Sequence, residues 1–225
     1  MRTYEKIETV FKRDIEGTKK LIPNEYRNET VEYLKDSMWY FTEKIDGTNI
    51  RVMWDGHNVS FGGRTDKAQI PKHLLKYLEE KFKTTEAEEL FEQTFGEKEV
   101  ILFGEGYGCK IQNGGAYRDD VSFILFDVLI GDNYQSREWV VETAKMFNVE
   151  VVPVILRGTI NDGIEYVVGH HKSSIGNAWM EGVVGRPTVE LKDRCGNRVI
   201  VKIKWEDFKH FNDNNWEDGW WRDDI

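Results

Sequence analysis

The sequence predicts an α+β domain of antiparallel β-sheets with flanking helices, and three observations carry that prediction. Strand-type runs rich in β-branched and aromatic residues recur along most of the chain. Short turn signals, Asp55-Gly56 and Arg194-Cys195-Gly196-Asn197, join neighbouring runs and imply antiparallel pairing. Helical patterns interrupt the strands at irregular intervals, without the regular alternation of a doubly wound sheet.

The elements follow in order. WYFTEK reads as a strand, and NIRVMW as a second, because Ile50 and Val52 alternate with Asn49 and Arg51. Asp46-Gly47 lies between them and reads as a hairpin turn. NVSFGG follows the Asp55-Gly56 turn. Pro71 opens a helix through HLLKYLEEKF, and Thr85 with Glu88 fits a capping box before LFEQTF. EVILFGEGYG and VSFILFDVLI are strands. Ser136 caps a helix over REWVVETAKMFN, with Trp139, Val140, Thr143 and Phe147 near one face. VEVVPVI is a strand, residues 162–169 a short helix, and MEGVVGRP, TVELKD and RVIVKIKW the last strands. In RVIVKIKW, Val199, Val201 and Ile203 face one side, and Lys202 and Lys204 project together from the other.

With 225 residues, 40% hydrophobic and 32% charged, the composition is that of a globular protein with a full-sized core. No internal repeat or linker divides it, so residues 1–225 read as a single domain, with 205–225 a short acidic, Trp-rich tail. That tail is expected to dock through Trp216, Trp220 and Trp221, and not to grip RNA. No apolar run reaches the length of a membrane span, and the N-terminus lacks a secretory signal. The two cysteines, Cys109 and Cys195, show no ligand spacing, so a cytoplasmic location is expected. A net charge of −9 argues against a non-specific nucleic-acid binder but permits a local basic groove.

Several polar segments sit at strand ends where burial favours apolar residues. These are Lys44 in EKIDG, Arg64 after Gly62-Gly63, Glu105 among glycines, Glu181 before two valines, and the lysine pair Lys202 and Lys204. Each has a bland reading alone. KIDG is a hairpin turn with a solvated lysine, GEGYG has the wrong spacing for a dinucleotide loop, and paired strand lysines usually face water. His170-His171 lacks a carboxylate or cysteine at ligand spacing and reads as surface.

In combination the segments follow a specific order: KxDG, an arginine, a glycine-flanked glutamate, FILFD, EGVV and KIK. From Glu43 to Lys204 this resembles the covalent nucleotidyltransferase superfamily of ATP-dependent polynucleotide ligases and mRNA capping enzymes. The resemblance implies that Lys44 attacks the α-phosphate of ATP, expels pyrophosphate and carries AMP as a phosphoramidate. The attacking form is the neutral amine, which nearby cations and partial desolvation favour. Lys202, Lys204 and Mg²⁺ or Mn²⁺ would neutralise charge on the reacting phosphate. By the same resemblance, Glu43, Lys44 and Ile45 line the nucleotide, with Glu43 at the adenine edge. Glu105 meets the ribose hydroxyls, and Phe123 stacks on the base, with Phe126 close enough to be confused with it. Glu181 serves the metal and reacting phosphate, and Arg64 engages the nucleotide or a 5′-phosphate.

Asn49 selects the branch. DNA ligases and capping enzymes commonly carry arginine at that position, whereas KIDGTN resembles RNA ligases that seal nicks in duplex RNA. Some of that branch have histidine where this chain has Asp46. The stretch after Lys204 is too short for an appended OB-fold, which also favours an RNA ligase joining 5′-phosphate and 3′-hydroxyl ends. The alternatives are a compact DNA nick ligase and a non-catalytic nucleotide- or RNA-binding module of the same fold.

Overall fold

A computed structural model describes residues 2–209, which form two compact units. The expectation for the acidic Trp-rich tail falls on residues outside this range.

The first unit is chiefly Ile45–Val152, with short pieces at the N-terminus and at Ile175–Ala178. Its sheet runs in the order Glu150–Val151, Val121–Ile130, Val100–Gly108, Thr48–Trp54, Val59–Gly63, with Asn133–Tyr134 paired to Val121–Ile130. Three helices, Lys72–Phe82, Thr85–Phe95 and Arg137–Met146, cover one sheet face. Ile50, Val52, Trp54, Leu102, Phe123 and Leu125 point into that core and meet Leu74, Leu78, Phe82, Phe91 and Val140. A smaller cluster contains Ile45, Tyr107, Tyr117, Ile124 and Val152, with Phe126 packed against it.

A register shift between Phe103 and Gly104 decides which residues reach which face. Phe103 pairs with Asp127 and Gly104 with Leu125, so Phe126 is the extra residue of a bulge. Leu125 and Val128 both enter the helix-covered core, while Asp127 accepts a 2.8 Å hydrogen bond from Tyr4 Oη. Strict alternation could not place Leu125 and Val128 on one face; the bulge does.

The second unit comprises Lys6–Lys44, Pro153–Ser174 and the described chain from Trp179 onward. Its sheet has the order Glu8–Thr9, Val201–Lys204, Gly182–Pro187, Trp39–Glu43, Val154–Gly158. A hairpin, Phe11–Arg13 with Leu21–Tyr26, and the helices Glu29–Tyr33, Ile160–Val168 and Trp205–Phe208 complete it. Phe11, Trp39, Phe41, Ile160, Val183, Val201 and Ile203 are among its buried residues.

Most pairing is antiparallel, as the turn signals imply. Glu8–Thr9 with Val201–Lys204 and Glu150–Val151 with Val121–Ile130 are parallel. The mixed α+β class and its antiparallel sheets agree with the sequence prediction, and several elements correct it. Trp39–Glu43 and Thr48–Trp54 are not a hairpin, because they belong to different sheets. VEVVPVI splits at Pro153, which has no N–H to continue a ladder, into strands of different sheets. TVELKD forms no strand, only a bridge between Lys192 and Arg198. The cap of helix Thr85–Phe95 is Thr84, whose side chain accepts from Ala87 N, and Glu88 instead receives Val59 N at 3.1 Å. Trp139 is 46% exposed although Val140, Thr143 and Phe147 are buried.

Candidate active site

In the second unit, three adjacent strands bring together residues 137 or more positions apart in sequence. Gly182–Pro187 pairs with Trp39–Glu43 on one side and Val201–Lys204 on the other, with Val183 opposite both Glu43 and Ile203. Lys44, just past its strand, donates its backbone N–H to Gly182 O at 3.0 Å. Glu181 precedes its strand and accepts the backbone N–H of Trp205 at 3.0 Å. These contacts fix the backbone on both sides of the glutamate.

The Glu181 carboxylate bridges two lysines. Lys44 Nζ lies 2.6 Å from Oε2 and Lys204 Nζ 2.8 Å from Oε1, with all three side chains only partly exposed. Lys202 shares a strand face with Lys204, because Val201 and Ile203 are 1% exposed and fill the core. Burial first, then repulsion from Lys44 and Lys204, lowers the Lys202 pKa from its ordinary value. Burial also opposes charge on Lys204, but the hydrogen bond and charge of Glu181 outweigh it and leave that pKa raised. Two neighbouring lysines on one strand are thus driven in opposite directions. Only Lys204 has the carboxylate.

Glu43 is 2% exposed. Ser173 Oγ donates to Oε1 at 2.5 Å, and Ser174 donates to Oε2 through its backbone N–H at 3.0 Å and its Oγ at 2.6 Å. The residue predicted to meet adenine therefore already accepts three hydrogen bonds from a turn some 130 positions away. Sequence reading missed Ser173 and Ser174, which no local pattern singles out. It also read His170-His171 as surface. His170 is half-buried between the rings of Trp179 and Trp205, with centroids 4.4 and 3.9 Å away, while His171 is exposed and stacks on Tyr166 at 4.3 Å.

The first unit carries the other predicted residues. Asn49 pairs with Glu105, and Glu105 with Ile124, so the three share the sheet face opposite the helix-covered core. Asn49 Oδ1 is buried without a hydrogen-bond partner among the described residues, a state that costs free energy until a donor fills it. Gly47 lies so close to this strand that a Cβ there would sit 2.3 Å from Gly106 O and 2.9 Å from Glu105 Cγ. Asp46 fixes the turn by donating its N–H to Tyr117 Oη at 3.3 Å and accepting Asn113 Nδ2 at 3.0 Å. The Asp-Gly pair thus serves a close backbone approach where strand Thr48–Trp54 enters its pairing with Val100–Gly108.

Arg64 is exposed just past strand Val59–Gly63. Ile45 is 3% exposed within the small cluster. Phe123 is fully buried in the helix-covered core, against the backbone at Gly104 and edge-on to Phe82 at 5.5 Å. Phe126, half-buried in the cluster that contains Ile45, is the aromatic with a partly open ring. Among the described residues, no three His, Cys, Asp or Glu side chains gather as a metal cage, and no helix is long and apolar enough to cross a membrane.

Comparison with known proteins then places the chain. Its fold matches solved structures of a Naegleria gruberi RNA ligase. One, with pyrophosphate, has a TM-score of 0.62 at 19% identity and covers 94% of this chain and 64% of that one. A variant with AMP and Mn gives 0.62 at 18%, covering 93% and 64%. Another variant, with ATP and Mn, gives 0.61 at 18%, covering 83% and 54%. The chain therefore spans between half and two-thirds of those proteins, and identity this low concerns the fold alone. No curated protein matches the sequence significantly. The RNA ligase family model matches residues 37–204, which run from just before the Lys44 strand to the second lysine of the KIK strand. On that match over most of its length, the chain belongs to the RNA ligase family.

Proposed function

We propose that this chain is an ATP-dependent RNA ligase acting through a lysyl-AMP intermediate on Lys44, with the whole chain working as one nucleotidyltransferase module. The observation that carries the proposal is the Glu181 carboxylate shared between Lys44 Nζ and Lys204 Nζ, with Lys202 alongside. A lysine destined to attack must be aimed, and Glu181 Oε2, 2.6 Å away, holds its Nζ in place. Lys44 Nζ then forms an N–P bond to the α-phosphorus as the bond to the pyrophosphate oxygen breaks. Lys202 and Lys204 supply positive charge for the phosphate oxygens as negative charge gathers there.

Mg²⁺ or Mn²⁺ fits a site with one carboxylate, since such ions take most ligands from water and substrate phosphates. Glu181 would hold it, and it would offset negative charge on the reacting phosphates. In the second step a 5′-phosphate oxygen of RNA attacks the lysyl-bound phosphorus, giving RNA capped by AMP and returning Lys44 as the amine. In the third, a 3′-hydroxyl attacks the RNA phosphorus, forming the phosphodiester and expelling AMP. Asn49 and Arg64 are assigned to orient the polynucleotide phosphate in these later steps, and Glu105 to the ribose hydroxyls.

The base is assigned to Phe126 in place of Phe123, whose burial favours a purely packing role. Ile45 would support the base from beneath. Glu43 is assigned to hold the Ser173–Ser174 turn beside the nucleophile, with contact to adenine requiring that turn to open. Incubation with α-labelled ATP and a divalent metal, followed by denaturing electrophoresis, tests the proposal. Acid-labile label should appear on the wild-type chain and vanish in Lys44→Ala; equal labelling of both proteins would refute the mechanism.

A further inference from the structure

Arg51 lies two positions beyond Asn49 on strand Thr48–Trp54, yet its side chain is only 1% exposed. Its two shorter hydrogen bonds go to one loop. Nε donates to Gly63 O at 2.8 Å and Nη2 to Asp66 Oδ1 at 2.7 Å, while Nη1 reaches Arg2 O at 3.4 Å. Gly63 and Asp66 bracket Arg64. The backbone at Gly62 passes directly over the guanidinium, where a Cβ would come within 2.8 Å of Nη2. Gly62 therefore makes room for the buried arginine, while a Cβ on Gly63 would meet Ala68 Cβ at 2.8 Å. Ala68 N also donates to Thr65 O at 3.1 Å, so the loop is tied on both sides of Arg64.

Asp66 is the informative member. Its side chain is 80% exposed, so its ion pair with Arg51 reaches from a buried fork to the protein surface. An acidic group two positions from Arg64 is electrostatically the wrong residue for a loop that meets a phosphate backbone. It makes sense as a tether, since a planar guanidinium fixes a partner's direction as well as its distance.

We propose that Arg51 and Asp66 form a brace that sets the direction of Arg64 toward the RNA 5′-phosphate, making both positioning residues for sealing. The inference rests on the role given to Arg64 above. Holding the loop in its bound geometry before RNA arrives lowers the ordering cost of the contact.

Two physical effects predict opposite signs at Asp66. By charge alone, removing the acid improves RNA binding and leaves sealing equal or faster. By bracing, its removal slows sealing. The test is single-turnover sealing of a pre-adenylylated nick in duplex RNA, run beside ATP labelling of Lys44 and thermal melting. The variants are Asp66→Ala, Asp66→Asn, Arg64→Ala and the double variant Asp66→Ala with Arg64→Ala. Asp66→Ala takes one acceptor from a buried guanidinium, so its melting temperature should fall modestly, while labelling, measured well below the melt, should stay near wild type. Asp66→Ala is expected to seal about tenfold more slowly, in line with small misplacements of positioning groups. Asp66→Asn, which keeps an acceptor for Arg51, should recover most of the rate. In the Arg64→Ala background, Asp66→Ala should add little. Sealing by Asp66→Ala at or above the wild-type rate overturns the brace, as do multiplicative losses in the double variant. If Arg64→Ala itself seals normally, the role of Arg64 fails and the brace with it, a result distinct from failure at Asp66 alone.

Discussion

At the scale of single residues, the site is a small set of charges whose pairings are unequal. Lys202 has the larger conflict. Burial and two neighbouring lysines depress its pKa, so the unfolded chain binds its proton more readily than the folded one. Stability is therefore reduced while Lys202 is charged, and it rises with pH from the folded pKa up to the unfolded value. Lys202→Met should raise the thermal midpoint by a few degrees at neutral pH, where the wild-type ammonium is penalised. The same change should cut Lys44 adenylylation by about 10²–10³, the scale of losing one group aimed at developing charge. A variant that is both less stable and fully active would show that Lys202 is an ordinary surface lysine. Asn49 makes a second case, since its buried Oδ1 has no partner among the described residues. Asn49→Ala should retain most self-adenylylation and lose sealing of a pre-adenylylated strand; unimpaired sealing would reduce Asn49 to a strand residue.

At the scale of elements, the two faces of one strand bear on the proposed base-stacking residue. Strand Val121–Ile130 sends Phe123 and Leu125 into the helix-covered core, then gains a residue at Phe126 and returns Val128 to that core. Phe123→Ala should cost about 3–5 kcal/mol of stability, as for other buried phenylalanines, with little change in ATP affinity once folded. Phe126→Ala should do the reverse and weaken ATP binding about 5- to 150-fold, the equivalent of the 1–3 kcal/mol of one base–aromatic stack. Calorimetric titration with ATP beside thermal melts separates the two. Weakened ATP binding in Phe123→Ala with Phe126→Ala unaffected would restore the original assignment.

At the scale of the whole molecule, the family match begins at residue 37, but the core does not. Val10, Phe11, Leu21, Tyr26 and Val31 are all buried in the second unit, and Glu8–Thr9 pairs with the strand that carries Lys202 and Lys204. At about 1.5–3 kcal/mol per buried side chain, their removal forfeits an amount comparable with the roughly 5–15 kcal/mol that holds a domain folded. A fragment of residues 37–204 should therefore fail to melt cooperatively and should not label with ATP. A sharp transition near that of the full chain would mean the N-terminal strands are dispensable cover.

The sequence by itself determined what local periodicity and motif order can encode. Alternation put Lys202 and Lys204 on one face, Pro71 and Ser136 marked helix starts, and the order from Lys44 to Lys204 carried the resemblance to nucleotidyltransferases. Tertiary structure decided the rest. Asp46-Gly47 looks like a hairpin turn whether or not its flanking strands pair, and only their sheet partners show that they do not. Phe123 and Phe126 fall on opposite faces of their strand by simple alternation, but only the tertiary structure shows that helices cover the face that carries Phe123. Glu43 and Arg51 carry charges that a sequence leaves to solvent, yet both are buried because Ser173 and Ser174 supply donors to one, and Gly63 and Asp66 supply acceptors to the other. A buried charge is stable only when distant groups complete its hydrogen bonds. The identity of those groups is fixed by how the chain returns on itself, which no window of neighbouring residues contains.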